Sequence, residues 1–132
     1  KILMEIEPGS NLEKIPEGIT VGEICSVVGN LIENSIDELI KTRGGKIEVG
    51  LFSDKEGLKI MVADNGRGID KKIAEKIFEK GITTKKGNRG LGLNIVKEII
   101  DSAGGTIQWS VDDGDGLLWN VYIPSKRGDQ YD

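Results

Sequence analysis

The spacing of apolar residues changes several times along the chain, and the order of these changes constrains the fold more than any other feature. Apolar residues recur every three or four positions from about Val21 to Lys41 and from Leu91 to Ser102, which predicts two amphipathic helices. A shorter helix is predicted at Lys71–Phe78, and strand-like patterns precede, separate and follow the helices. The predicted strands cover residues 1–6, 47–51, 58–63, 106–111 and 117–123. This order predicts an α/β (α+β) two-layer sandwich, in which helices pack on one face of a mixed, mostly antiparallel sheet.

Local signals mark the ends of the two long helices. Thr20 and Glu23 have the spacing of a capping box at the start of the first helix, and Gly44-Gly45 follows its end. Gly104-Gly105 ends the second helix in the same way. The predicted buried positions are Ile24, Val27, Val28, Leu31, Ser35 and Leu39 in the first helix, and Ile95, Val96, Ile99 and Ile100 in the second.

Length, charge and composition exclude several classes of function. The 132 residues predict one domain over residues 1–124 and a polar tail over 125–132, and a start at Lys1 without a signal peptide suggests a piece of a longer protein. A formal charge of −4 argues against a nucleic-acid partner, and no run of 18 apolar residues predicts direct membrane insertion. One cysteine, Cys25, fits a reducing compartment. The absence of histidine excludes histidine-based zinc sites, histidine general bases and a phospho-accepting histidine within these 132 residues.

A polar stripe runs along the first predicted helix beside its apolar stripe. Asn30, Asn34 and Asp37 lie at positions i, i+4 and i+7, within about 60° of one another around the helix axis. One interpretation is a solvated flank of the helix. The other is the rim of a pocket, because asparagine disfavours helix interiors and its side-chain oxygen suits Mg²⁺.

A glycine-rich turn directly follows the most apolar strand. Its pattern is Asp64-x-Gly66-x-Gly68, and Lys71 stands where a dinucleotide-binding fingerprint would need its third glycine. A tight turn would explain the glycines but not a carboxylate at the end of a buried strand. Such a carboxylate needs a donor, and the exocyclic amine of adenine is one that guanine lacks at the same position.

A second glycine-rich segment leads into the second long helix. It contains Gly87, Gly90 and Gly92, and residues 80–92 carry four basic side chains and no acidic one. Free N–H groups at a helix N-terminus and nearby positive charge favour a phosphate site. A mobile basic surface loop is the alternative.

Taken in order, these motifs resemble those of the GHKL superfamily, the Bergerat-type ATP-binding fold of gyrase, heat-shock protein 90, histidine kinases and mismatch-repair ATPases. Asn30–Asp37 resembles the N box, Asp64–Gly68 the G1 box, Ile77–Glu79 the F box and Arg89–Leu93 the G2 box. The resemblance covers about residues 20–124 and is greatest to sensor histidine kinases of the citrate/fumarate-sensing subgroup.

The resemblance implies roles for individual residues. Asn34 would coordinate a Mg²⁺ that bridges the phosphates of ATP, with Asn30 and Asp37 beside it, and Asp64 would accept a hydrogen bond from adenine. Further contacts with the nucleotide are implied for Gly66, Gly68, Ile69, Phe78, Thr83, Thr84, Lys85, Arg89, Gly90, Leu91, Gly92 and Leu93. The hydrolases of the superfamily carry a glutamate at the position of Asn30, so intrinsic ATP hydrolysis is expected to be weak, and Glu33 is the candidate catalytic residue.

The function implied is that of the catalytic ATP-binding domain of a two-component sensor histidine kinase. Its expected partners are the dimerisation domain of the parent kinase, which carries the phospho-accepting histidine, and a response regulator. The domain is expected in the cytoplasm and its parent in the bacterial inner membrane. Two alternatives remain at this point: an anti-sigma-type serine kinase, and a nucleotide-sensing protein-interaction module.

Overall fold

The computed structural model describes residues 1–40, 44–66, 89–111 and 116–125. The elements within these ranges follow the predicted order, and they are β1 (Leu3–Ile6), α1 (Val21–Leu39), β2 (Lys46–Asp54), β3 (Gly57–Asp64), α2 (Arg89–Ser102), β4 (Thr106–Val111) and β5 (Leu117–Pro124). The helix predicted at Lys71–Phe78 lies outside the described residues. No helix in the described ranges is long and apolar enough to cross a membrane.

The five strands form one mixed sheet in the order β1-β2-β3-β5-β4. β1 pairs with β2 in parallel, and the other three pairings are antiparallel. The nearly continuous apolar run of β3 is explained by its central place in this sheet. The predicted fold class, a mixed and mostly antiparallel sheet covered by helices, is confirmed.

The core lies between the sheet and the two helices. The inward-facing residues of β3 are Leu58, Ile60 and Val62, and each lies opposite an inward-facing residue of β5. Val27 and Leu31 of α1 pack onto this layer and are fully buried. Because side chains alternate between the faces of a strand, the next β3 position on the same face is Asp64. The hydrophobic core therefore ends, at this edge of the sheet, on a carboxylate.

The N-terminus of α1 has the predicted capping box. The Thr20 hydroxyl accepts a hydrogen bond from the Glu23 backbone N–H at 3.1 Å, and the Glu23 carboxylate accepts one from the Thr20 N–H at 3.0 Å. At its other end, α1 finishes at Leu39 rather than at the predicted Lys41, with Ile40 as the C-cap residue. Gly44, which follows the helix, has a φ of +68°, in the left-handed region that favours glycine.

One predicted core position of α2 is wrong. Ile95 is 43% exposed, whereas Val96 and Ile100 are fully buried and Ile99 packs against the core from its edge. Leu93, which was predicted only as a nucleotide contact, lies in the core at 1% exposure. The buried stripe of α2 thus runs through positions 93, 96 and 100, and Ile95 falls to one side of it.

Gly29 offers a direct test of the helix description. It is exposed in the middle of α1, and a Cβ added there would meet nothing within 4 Å. Because glycine is less favourable than alanine in a helix interior, we expect Gly29→Ala to raise the free energy of unfolding by roughly 0.5–1 kcal/mol. Urea unfolding of the two proteins would measure the difference, and an unchanged or lower value would contradict the assignment of an unobstructed helical surface.

Candidate functional site

The carboxylate of Asp64 is the centre of the candidate site. Asp64 is the last residue of β3 and lies between Ile47 of β2 and Leu117 of β5 in the sheet. Its side chain is half-buried beneath α1. The sheet thus places one acidic group at the boundary between the core and the solvent, where a ligand can reach it.

Hydrogen bonds from Ser35 and Gly66 reach the two oxygens of the carboxylate, and the Leu117 backbone supplies a further one. The Ser35 hydroxyl of α1 donates a hydrogen bond to Oδ2 at 2.8 Å, and the Gly66 backbone N–H donates one to Oδ1 at 2.9 Å. These donors come from different parts of the fold, the helical layer and the turn after β3. An ionised carboxylate has about four acceptor positions, so the group retains capacity for a donor on a ligand.

Burial raises the pKa of the Asp64 carboxyl above its ordinary value of 3.8, and the nearby negative charge of Glu38 acts in the same direction. Hydrogen bonds from the Gly66 backbone, the Ser35 hydroxyl and the Leu117 backbone oppose this shift. The charged form of Asp64 is therefore costly in the unliganded domain, and a donor supplied by a ligand would stabilise it.

The raised pKa predicts a pH dependence of stability. At a pH between the pKa of Asp64 in the unfolded chain and its higher pKa in the folded domain, the folded domain holds a proton that the unfolded chain has lost. The contribution of Asp64 to the free energy of unfolding therefore falls as the pH rises through this range. We expect the stability of the wild type relative to Asp64→Asn to decrease as the pH rises above the ordinary value of 3.8. Urea unfolding of both proteins across this range checks it, and an increase with pH would contradict the raised pKa.

The turn after β3 is fixed from several sides. The Asn65 side chain accepts a hydrogen bond from the Lys46 backbone N–H at 2.7 Å and donates one to the Gly44 carbonyl at 3.0 Å. Gly66 lies close to α1, since an added Cβ would be 3.0 Å from Cγ of Glu38 and 3.1 Å from Oδ1 of Asp64. A larger residue at position 66 would therefore crowd the side chains of Glu38 and Asp64.

Asn34 lies next to Ser35 on α1 and is 8% exposed. Its side-chain nitrogen donates a hydrogen bond to the Asn30 carbonyl at 3.0 Å. The atom of this side chain that suits a hard cation is its oxygen. Because Asn34 and Ser35 are consecutive, one turn of α1 brings the amide predicted to hold a metal close to the carboxylate predicted to bind adenine.

The other predicted α1 residues lie near this pair but differ in exposure. The Asn30 side chain is half-buried and donates a hydrogen bond to the Ser26 carbonyl at 2.7 Å. Asp37 is half-buried and Glu33 is exposed. The predicted polar stripe thus forms one continuous flank, of which Asn34 is the most buried member.

The start of α2 packs directly against this flank. A Cβ on Gly92 would lie 2.7 Å from Oδ1 of Asn30. Arg89, Gly90 and Leu91 form the first positions of α2. The structure therefore brings the start of the G2-like segment to the polar stripe of α1, as a shared site requires.

Six of the predicted site residues lie outside the described residues. They are Gly68, Ile69, Phe78, Thr83, Thr84 and Lys85. Among the described residues, no group of three or more histidine, cysteine, aspartate or glutamate side chains could hold a metal ion. A Mg²⁺ here would instead need the Asn34 oxygen together with phosphate and water oxygens, and this donor set suits the ion.

Sequence reasoning missed two residues that surround Asp64. Ser35 was predicted only as a core position, and Glu38 was not predicted to face the carboxylate. A hydroxyl within an apolar stripe was a usable signal for Ser35, because buried polar groups are almost always hydrogen-bonded. No sequence signal identifies the approach of Glu38, which depends on how α1 lies across β3.

The fold and the site together define an ATPase domain of the GHKL type, with an acidic residue ending a core strand beside an asparagine on the covering helix. The family model for the histidine kinase-, DNA gyrase B- and HSP90-like ATPases matches residues 21–127, and the chain belongs to this family.

Similar proteins narrow the class to the catalytic ATPase domains of sensor histidine kinases. A probable C4-dicarboxylate sensor kinase of Halalkalibacterium halodurans is 37% identical over 93% of this chain and 24% of its own length. The sensor histidine kinase DpiB of Escherichia coli is 36% identical over 94% of this chain and 23% of its own length. The chain thus spans about a quarter of the curated relatives it matches. These relatives confirm the predicted subgroup.

Solved structures agree with this assignment. The nucleotide-free catalytic domain of the histidine kinase ThkA superimposes with a TM-score of 0.75 and 29% identity, covering 94% of this chain and 79% of that one. Full-length ShkA in complex with AMPPNP gives a TM-score of 0.74 and 25% identity, covering 93% of this chain and 25% of that one. The findings support the kinase interpretation over a serine kinase or an interaction module.

Proposed function

We propose that this chain binds Mg-ATP between α1, the turn after β3 and the start of α2, and that it presents the γ-phosphate to a histidine on a separate dimerisation domain. The single observation that carries the proposal is the Asp64 carboxylate, which accepts hydrogen bonds from Gly66 and from Ser35, the residue that follows Asn34 on α1. The parent is proposed to be a sensor kinase of the bacterial inner membrane with this domain in the cytoplasm, and its response regulator would receive the phosphate.

The base would be recognised by the carboxylate. Adenine carries an amine at the position where guanine carries a carbonyl, and only the amine can donate to Asp64. The glycine at position 66 supports this role, because a Cβ there would lie 3.1 Å from Oδ1 of Asp64 and would crowd the carboxylate. The domain would therefore select ATP over GTP.

The phosphates would lie toward the start of α2. Backbone N–H groups at the first turn of a helix attract anions, and Gly90 and Gly92 leave this backbone without side chains. Asn34, with Asn30 and Asp37 beside it, would hold the metal end of the nucleotide. A bound Mg²⁺ would neutralise charge on the phosphate oxygens. Gly68, Ile69, Phe78, Thr83, Thr84, Lys85, Arg89, Leu91 and Leu93 remain proposed nucleotide contacts.

Transfer to histidine would require mainly positioning by this chain. Phosphoryl transfer asks little covalent chemistry of the protein, so orientation and charge neutralisation provide most of the rate. The 132 residues contain no histidine, and the acceptor must therefore come from another chain or segment. Glu33 is the proposed catalytic side chain, and its exposed position on α1 would allow it to meet an acceptor arriving from solvent.

The decisive experiment supplies the acceptor. The domain is mixed with the histidine-containing dimerisation domain of a related sensor kinase and γ-labelled ATP with Mg²⁺. The proposal expects label on the partner that is lost in acid and retained in base. Acid-stable label on a partner serine would favour the serine kinase. ATP binding without transfer of label, also when the dimerisation domain of the parent kinase itself is added, would favour the interaction module.

A further inference from the structure

Ser35 makes a contact that the superfamily motif does not explain. It is 1% exposed on α1, and its hydroxyl donates to Oδ2 of Asp64 at 2.8 Å. The two residues are 29 positions apart in the chain and belong to different layers of the fold. The hydrogen bond therefore joins the helix that carries Asn34 to the strand that carries the adenine-binding carboxylate.

We propose that Ser35 is a positioning residue that sets the direction of the Asp64 carboxylate toward the adenine amine. This inference rests on the proposed function, because it assumes that Asp64 binds adenine.

The geometry supplies the reason. Without Ser35, the carboxylate would keep only backbone donors, the Gly66 N–H on Oδ1 and that of Leu117, and its terminal torsion is intrinsically soft. The donor on Oδ2, from a buried side chain of a helix, fixes the plane of the group. Because Ser35 directly follows Asn34, the same helix turn also fixes the distance between the base and the phosphates.

Charge supports the same role. Glu38 of α1 is the charged group that faces Asp64 among the described residues, and together with burial it favours the protonated carboxyl. A protonated Asp64 could turn its hydroxyl, a hydrogen-bond donor, toward the amine of adenine, which is also a donor. The hydrogen bonds from Ser35 and Gly66 favour the ionised form, which is the acceptor that the amine needs.

The test compares two nucleotides that differ only at the amine. Calorimetric titrations use ATP and purine riboside 5′-triphosphate, which carries hydrogen in place of the 6-amino group, against the wild type, Ser35→Ala and Ser35→Cys. We expect both variants to bind ATP about five- to tenfold more weakly and to bind the purine analogue within about twofold of the wild type. Ser35→Cys keeps a side chain of the same shape with only a weak S–H donor, and therefore separates loss of the strong donor from loss of packing.

The control variant is Ser53→Ala. Ser53 is a half-buried serine whose hydroxyl, like that of the fully buried Ser35, donates to a side-chain oxygen, that of Asn11 at 2.6 Å, but it lies on β2 away from the site. It should leave both affinities unchanged. A double variant with Asp64→Asn completes the comparison, since removing the Ser35 hydroxyl should add little to the loss of ATP affinity once the carboxylate is absent.

The outcomes separate this inference from the proposed function. Equal weakening of both nucleotides by Ser35→Ala would assign the residue a general structural role and overturn the inference. Unchanged or tighter ATP binding in Ser35→Ala would also overturn it, while the proposed function would stand if Asp64→Asn still lost ATP selectively. A wild type that does not distinguish ATP from the purine analogue would overturn both.

Discussion

Asp64→Asn is expected to keep the fold and to lose most of the affinity for ATP. The asparagine oxygen can still accept the hydrogen bond from the Gly66 N–H, and its nitrogen can donate to the Ser35 hydroxyl, which also accepts. The same nitrogen then faces the amine of adenine, so that two hydrogen-bond donors meet and neither finds an acceptor. An unpaired buried polar group costs roughly 2–4 kcal/mol in such a site, which corresponds to about a 30- to 700-fold loss of affinity. Calorimetric titration with ATP and Mg²⁺ measures it.

The matched control for this change is Asp54→Asn. The Asp54 carboxylate also accepts backbone hydrogen bonds, from Glu56 at 2.8 Å and Gly57 at 3.2 Å, but at the opposite end of the β2–β3 hairpin. Both variants change the net charge by the same amount, so a general charge effect would appear equally in both. Less than a threefold change in the affinity of Asp64→Asn for ATP would contradict the role of Asp64 in adenine binding.

The fold was predictable because each long element carries its own pattern. Thr20 and Glu23 defined the start of α1, and the apolar run of β3 indicated a central strand. The error in the predicted core of α2 occurred where the helical spacing allowed either of two neighbouring residues to be buried. Ile95 and Val96 are adjacent apolar positions of α2, and only the angle at which the helix meets the sheet decides that Val96 is buried and Ile95 exposed.

The site was less predictable than the fold because it depends on contacts between layers. The sequence placed Asp64 at the end of a buried strand and Asn34 on a helix flank, but periodicity alone could not bring them together. Ser35 illustrates the limit, since it matched a core position by spacing and gained its partner 29 residues away only through packing. The residue types offered Mg²⁺ and adenine as one interpretation among others, and the resemblance to a family assigned them to Asn34 and Asp64.

Asn34→Ala is expected to weaken Mg-ATP selectively. The variant removes the proposed oxygen ligand, and loss of a group that supports a bound metal typically costs about 10- to 100-fold in metal affinity. Adenosine lacks the phosphates through which a nucleotide binds the metal. The affinity of Asn34→Ala for adenosine should therefore stay within about twofold of that of the wild type. The helix should tolerate the change, because the hydrogen bond from the Asn34 side chain to the Asn30 carbonyl lies within α1 and alanine favours helices.

Titrations with ATP in Mg²⁺, with ATP in a chelator and with adenosine separate the metal from the base. In the wild type, Mg²⁺ should strengthen ATP binding, and in Asn34→Ala this gain should be lost while the affinity measured in chelator is unchanged. Asn120→Ala is the matched control, since Asn120 is a half-buried asparagine on β5 whose position alternates with the core-facing Trp119 and Val121. If Asn34→Ala weakened adenosine and Mg-ATP equally, the asparagine would support the pocket as a whole, and the metal would have to be held from elsewhere.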